Sequence, residues 1–451
     1  MTLVPTPRTA FYGNPPSPDY QPDRDDLIAI LEQLDTASQA QRYWVTPTDF
    51  GAVAGTVSAA QRTANTTALN SAHASDKPLV YDAIYEVDGP VTQQKTGKAV
   101  HGITPGMSGL LSYDASGDTL TFGSATQTNC VLENLSVNAA VQKDAGAFDI
   151  VFNNCARVTV HNVFVSELGI AEASRLTGSG VQIKGSTGNM NFDGLYVYGS
   201  HDTVGTAGTS GLVIQSEVNN ASEIVFKNLN IRGFTNCINL RGGTSVKIIS
   251  GDASSGFTGL KTSADAGHIN RELFLGPNFS IDRCYNVGFQ PGANSLDYLV
   301  SYAWMGGCKT HNVLINTAQS GAWFFANSRM RGTATGASVV VDSGDGHIIT
   351  FQGCEFGLAG NAALAADYAV TQQNASGLVY ASGHLIATHN VTTNNTLWGI
   401  QITGTAGTQQ SYRIKDNTSR GNAGAWNSTD SGNENATSKF FIFGAHGNVE
   451  I

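Results

Sequence analysis

The chain has 451 residues, of which only 13% are charged, together with 51 glycines and a formal net charge of −10. That length allows one large elongated core with small appendages, and sparse charge with many turn formers suits a rigid β-rich body. An acidic chain without a basic stripe excludes nucleic acid as the main partner, and no apolar run approaches the length of a membrane span.

Residues 1–45 form the first region. Pro5, Pro7, Pro15, Pro16, Pro18 and Pro22 are half of the 12 prolines, so the chain to about Pro22 reads as an extended tether. Asp23 to Tyr43 reads as a short helix, with Asp23, Asp25 and Asp26 at its positive end and Leu27, Ile30, Leu31 and Leu34 on one stripe. That stripe either folds back on the body or packs with copies of itself as a short coiled coil. Met1 to Arg8 lacks a charged-then-apolar leader pattern, so synthesis in the cytoplasm without a signal peptide is expected.

Residues 46–125 are expected to open and cap a solenoid. They open with Thr48-Asp49-Phe50-Gly51-Ala52-Val53, and a helix at about Asn65 to His73 covers the open end, where unpaired backbone would otherwise invite aggregation.

Residues 126–430 carry an internal repeat. One four-residue phrase returns at Asn134-Leu135-Ser136-Val137, Asn162-Val163-Phe164-Val165, Gly194-Leu195-Tyr196-Val197, Asn228-Leu229-Asn230-Ile231, Asn278-Phe279-Ser280-Ile281, Asn327-Ser328-Arg329-Met330 and Gly353-Cys354-Glu355-Phe356. Poorer copies stand near Gly251-Asp252-Ala253-Ser254 and at Tyr302-Ala303-Trp304-Met305. A unit of about 25 residues, filled by short alternating Val/Ile/Phe runs between Gly, Asn, Ser and Thr, predicts an all-β chain. Three strands and three turns per coil, stacked at about 4.8 Å, make a parallel β-helix, and crossover chirality makes it right-handed.

The dipeptides Asn129-Cys130, Asn154-Cys155 and Asn236-Cys237 suggest an inward cysteine ladder beside a turn-bound Asn ladder. Six cysteines without paired spacing read as reduced core residues, neither a disulfide framework nor a zinc site. Asn417 to Lys439 reads as turns or a loose loop, and residues 431–451 as a tail with one last strand at Phe440-Phe441-Ile442-Phe443.

The opening segment carries a resemblance: Thr48 to Val53, then Asn65 to Ala72, Lys77-Pro78-Leu79-Val80, Tyr85 and Gly102. It resembles the start of pectate-lyase-like β-helix proteins, where an Asp-Phe-Gly-Ala strand, here Asp49 to Ala52, leads to a short capping helix, and is especially similar to bacteriophage tailspikes and tail-associated capsule depolymerases. The match departs from the family form at Ala54-Gly55-Thr56-Val57, where an acidic Gly-Asp-Gly stretch is usual, and at Asp82-Ala83-Ile84, where Pro-Gly precedes the Tyr. With the repeats it covers residues from roughly 46 to 430. The resemblance implies a homotrimeric tailspike of the virion, bound through its N-terminus to a phage tail or baseplate protein. Its β-helix would bind and depolymerise a host surface polysaccharide, whether capsule, exopolysaccharide or lipopolysaccharide.

Loop lengths point to a site, because solenoid insertions map to one face. Two swollen turns in adjacent coils follow Val165 and Val197, and bring Glu167, Glu172, Arg175, His201 and Asp202 into one district. Glycosidic hydrolysis needs two carboxylates, and Glu167 or Glu172 paired with Asp202 supplies them. His201 reads as a proton donor or sugar hydrogen-bonder, and Arg175 as a holder of an acidic sugar. A second surface is the strand-end ladder Lys184, Glu217, Arg241, Lys261, Gln290, Asn316 and Asp342, read chiefly as cross-strand pairing, with Glu217 the member facing substrate. Tyr196, Tyr198 and Trp398 are aromatics placed to stack on sugars. Arg413-Ile414-Lys415 and Asp345-Gly346-His347 resemble fragments of the polygalacturonase signature, but its other motifs are missing. No P-loop, HExxH or zinc-spaced set occurs, so no metal or cofactor is expected. A non-catalytic receptor-binding spike and a polysaccharide lyase stand as the alternatives to a hydrolase.

Overall fold

The computed structural model describes residues 42–123, 127–144, 146–166, 179–185, 187–199, 202–206, 208–216, 222–262, 270–292, 295–316, 321–343, 347–403, 410–428, 439–440 and 449–450. The tether and the helix expected over Asp23 to Tyr43 lie almost wholly outside these residues.

The expected right-handed parallel β-helix is present. One coil runs through Ser179–Gly185 and then Gly188–Tyr198, a segment bent at Gly194 into two strands, and returns at Ser210–Ser216. Each strand pairs in parallel with its counterpart in the next coil, as Val181 does with Leu212 and Phe192 with Phe226.

The repeated phrase has a backbone cause. Its first residue is a left-handed bend: φ is 53° at Asn134, 49° at Asn162, 51° at Asn228, 70° at Asn278 and 47° at Asn327, while Gly takes the same place at Gly194 and Gly353. Asn and Gly are the residues that enter this region at least cost, so the bend selects them. The second and fourth residues then point inward, and Leu135, Val137, Val163, Val165, Leu229, Ile231, Phe279 and Ile281 are all buried. Register moves one weak copy. Asp252 pairs with Ser280, so the phrase there begins at Ser250.

Inside, aromatic side chains stack along the axis. Phe122 lies 5.2 Å from Phe152, Phe192 4.6 Å from Phe226, Tyr298 5.2 Å from Trp323 and Phe325 4.7 Å from Phe351. Each buried Phe contributes roughly 1.5–3 kcal/mol, and each pair adds about 0.5–1.5 kcal/mol.

The opening differs from the expected strand. Pro47–Phe50 is a 3-10 turn, because Asp49 Oδ2 accepts from Thr46 N at 2.8 Å and Gly51 closes the turn with φ 89°. The capping helix α1 spans Ala59–Ala74, longer than expected because Ser58 caps it by accepting from Gln61 N. It is pinned by Asn65, whose Nδ2 donates to Val53 O and Glu86 O, and by buried His73, bonded to Gln93 and Tyr81. Burial lowers the His73 imidazole to about 4. The Lys98 ammonium satisfies the helix C-terminus by donating to Ala72 O at 2.7 Å and Ser75 O at 2.9 Å.

All six cysteines are free and buried, as expected, but the three Asn-Cys dipeptides do not form one ladder. Cys155 sits opposite Gln127, Cys130 bonds back to Thr128 O, and Cys237 lies in the strand Asn236–Thr244, so three positions of the coil are involved. The stacked pair is Cys284 and Cys308, each two residues past paired Asp282 and Gly306. An Asn ladder exists elsewhere: Asn390 donates to Asn417 Oδ1, and Asn395 to Asn422 Oδ1. These bonds carry the coil into the segment expected to be loose, where Thr418–Arg420 and Gly424–Ser428 are strands.

Candidate functional site

Of the residues expected to carry chemistry, Glu167, Glu172, Arg175, His201 and Glu217 lie outside the described residues. Asp202 is described, and its surroundings give it a different role from the expected catalytic one. It is 1% exposed. Its Oδ1 accepts from Val204 N at 3.1 Å and Gly205 N at 2.8 Å, and Thr235 donates its hydroxyl to Oδ2. That pattern is an Asx turn anchored to the next coil, and a glycan's glycosidic oxygen does not reach a carboxylate so enclosed. Trp398 packs over Gly424, where an added Cβ would lie 1.9 Å from its ring, on the strand set that includes Ser179–Gly185. The strand-end ladder is in register only in part. Lys261 faces Gln290 as expected, but on its other side it faces Asn239, Lys184 faces Gln215, and a bulge after Ile214 sets Gln215 opposite Gly242 and not Arg241.

Tyr198 belongs to a more organised surface. The outward third residue of each phrase stacks into one column, Phe164, Tyr196, Asn230, Asp252, Ser280, Trp304, Arg329 and Glu355. Two residues on runs a parallel column of Tyr198, Arg232, Ser254, Asp282, Gly306 and Arg331. The strands fix these side chains on a rigid sheet, and the left-handed bend beside each strand fixes the rung at which each stands.

The columns bring carboxylates, cations and aromatics together. Asp252 accepts from Ser254 Oγ at 2.5 Å and Ser280 Oγ at 2.7 Å, with Arg232 Nε at 3.6 Å. Asp282, on the next rung, faces Gly306, and the Trp304 indole N–H acts on its carboxyl. Gly306 permits this, since a Cβ there would lie 2.8 Å from Trp304 Nε1. Burial pushes the Asp282 carboxyl up from its ordinary value and the Asp252 charge adds to this, while Arg283, with Nε at 3.9 Å, opposes it. Burial likewise raises the Tyr198 phenol, with Arg232 acting against it.

Beyond Trp304 the face opens into a shallow recess of about 690 Å³ lined by Tyr302, Trp304, Arg329, Glu355 and Val391 among others. Tyr302 is 62% exposed and Trp304 37%. Glu355 is held between Arg331, 3.1 Å away in an ion pair without hydrogen-bond alignment, and Arg329 at 3.5 Å. Sequence reasoning named Tyr196 and Tyr198 but missed the rest of this face. Its signal is the third and fifth positions of the phrase, which break the apolar pattern with Asp, Trp, Arg and Glu.

Among the described residues no His, Cys, Asp and Glu group has the arrangement of a metal site. The arrangement can stack and hydrogen-bond a polar ring-bearing ligand, and it holds two carboxyl groups in unlike surroundings.

The sequence matches no protein-family model and no curated protein. Solved structures are similar in fold. The N-terminal fragment of bacteriophage Phi29 gene product 12 superposes with a TM-score of 0.60 at 11% identity, over 90% of this chain and 73% of that one. The pre-mature form of bacteriophage phi29 gene product 12 gives 0.57 at 11%, over 88% of this chain and 54% of that one, so this chain spans about half of it. The Dettilon tailspike protein gives 0.52 at 13% identity, over 94% and 73%.

Proposed function

We propose that this chain is a bacteriophage tailspike whose β-helix binds a host surface polysaccharide along the outward face from Tyr198 to Glu355 and cleaves it. The observation that carries this reading is the exposed Tyr302 and Trp304 pair set among Arg329, Glu355 and Asp282 on a rigid sheet. A buried core would not need aromatics there, and sugars present apolar ring faces and hydroxyls that match aromatic stacking with charged hydrogen-bonding. The fold shared with a protein described as a tailspike is consistent with it.

The proposal includes assembly into a homotrimer attached to the virion tail through residues 1–45. The strand preceding the bend supports it. Phe274, Leu299 and Phe324 pair in successive coils, Leu299 is 41% exposed, Phe324 36% and nearby Ile348 51%. Exposed apolar side chains grouped in this way mark a protein contact, and copies of one chain about a shared axis cover them symmetrically.

The test is binding and degradation of purified capsular polysaccharide and lipopolysaccharide from a panel of bacterial hosts. Retention of one host's glycan, with release of reducing ends, is the expected outcome. Products absorbing near 235 nm would instead identify a lyase, and failure to retain any glycan would overturn the reading.

A further inference from the structure

We propose that Asp282 and Asp252 are the catalytic pair of this face, Asp282 giving a proton to the glycosidic oxygen and Asp252 taking one from the attacking water. The inference rests on the glycan-binding reading above and adds the groups that break the bond.

Geometry carries it first. Asp252 stands opposite Ser280, and Asp282 is two residues further along that strand, so the two are diagonal neighbours on adjacent rungs. Parallel strands about 4.8 Å apart, with two residues spanning about 6.6 Å along the strand, put such backbone positions roughly 8 Å apart. Inverting glycosidases hold their two carboxyls roughly 6.5–9.5 Å apart with one water between, a range that this rung spacing can supply. Trp304 stands between the pair and the recess, since its indole lies over Gly306, which faces Asp282, while its ring lines the open surface. A sugar stacked on the Trp304 ring then lies one rung from Asp282.

The surroundings differ in the sense that the two roles require. Asp252 takes two hydroxyl donors and lies beside Arg232, so its carboxyl oxygens are held in place on the face. Asp282 is pushed up by burial and by the neighbouring charge of Asp252, which favours the protonated form that an acid needs. In the step, water oxygen bonds the anomeric carbon as the carbon–glycosidic oxygen bond breaks. The leaving oxygen keeps the proton from Asp282, Asp252 keeps the proton from water, and exchange with solvent restores both.

The experiment uses the full chain and the polysaccharide panel above. Asp282→Asn and Asp252→Asn should each slow release of reducing ends by about 100-fold or more, while both still retain the same glycan on sedimentation. Product anomers read by proton NMR should be inverted. Parental cleavage by either variant, or retained configuration, overturns the pair and leaves glycan binding standing; so does a parent that binds without cleaving. A parent that binds no glycan overturns both readings. A second measurement needs no substrate: carboxyl-carbon NMR titration should place Asp282 above the ordinary Asp range and move it down in Asp252→Asn. An ordinary or low value that ignores that substitution overturns the assignment of roles.

Discussion

The two outward strips on either side of the left-handed bend share one scaffold and carry opposite chemistry. Before the bend, Phe274, Leu299 and Phe324 make an apolar column, with exposed Ile348 diagonal to it on the next coil. After it, Asp252, Asp282, Trp304, Arg329 and Glu355 make a charged and aromatic one, with each ion supported by a partner. Both rest on the same kind of buried inward residues, so the coil dictates what faces in and leaves what faces out free. The difference between the strips is therefore a record of what each side meets.

The largest expected effect lies on the apolar side. Replacing Leu299 and Phe324 together by Asp should turn an assembled species into monomers by light scattering, without loss of β signal in circular dichroism. Unchanged mass would remove the self-association role from that strip. Next is the cap, which sets the pH range in which either strip can be assayed. His73 is lowered to about 4 from 6.5, so the unfolded chain binds the extra proton between those values. Stability is then full above pH 6.5 and falls as pH drops through 4, by about 3 kcal/mol in total. Hydrogen exchange of α1 should speed up across that window, and His73→Gln should flatten the response.

On the polar side, Trp304→Ala should weaken glycan retention by about 30-fold, the scale of a 2 kcal/mol anchor. Parental affinity in that variant would move the binding face elsewhere. The smallest effect sharpens the contrast with the swollen loops. Asp202→Ala should cost about 1–3 kcal/mol in urea unfolding by orphaning two backbone donors and Thr235. Cleavage per folded molecule should stay at the parental rate, whereas a 100-fold loss would return Asp202 to the chemistry.

The fold was legible because its cause is local: most bends take Asn or Gly, and most inward positions take an apolar side chain, so the phrase at Asn134, Asn162 and Asn228 spells out the coil. The candidate face was less legible. Asp252 and Trp304 sit in the weakest copies of the phrase, where Gly251 and Tyr302 replace the expected residues, so the alignment that stacks them came only with register. Asp202 misled for a related reason. Loop length suggested exposure, while its side chain folds inward to hold Gly205 at φ 73°. The opening turn was misread because Thr46 and Asp49 bond each other across a span too short for periodicity to reveal.

The left-handed bend also makes the molecule extensible. Because each coil closes on its own bend and contacts only its neighbours, one inserted coil lengthens the outer strips by a single step of about 4.8 Å without altering the steps already there. Reach along a polymer can thus be changed by counting coils, while the groups that act at any one rung keep their places.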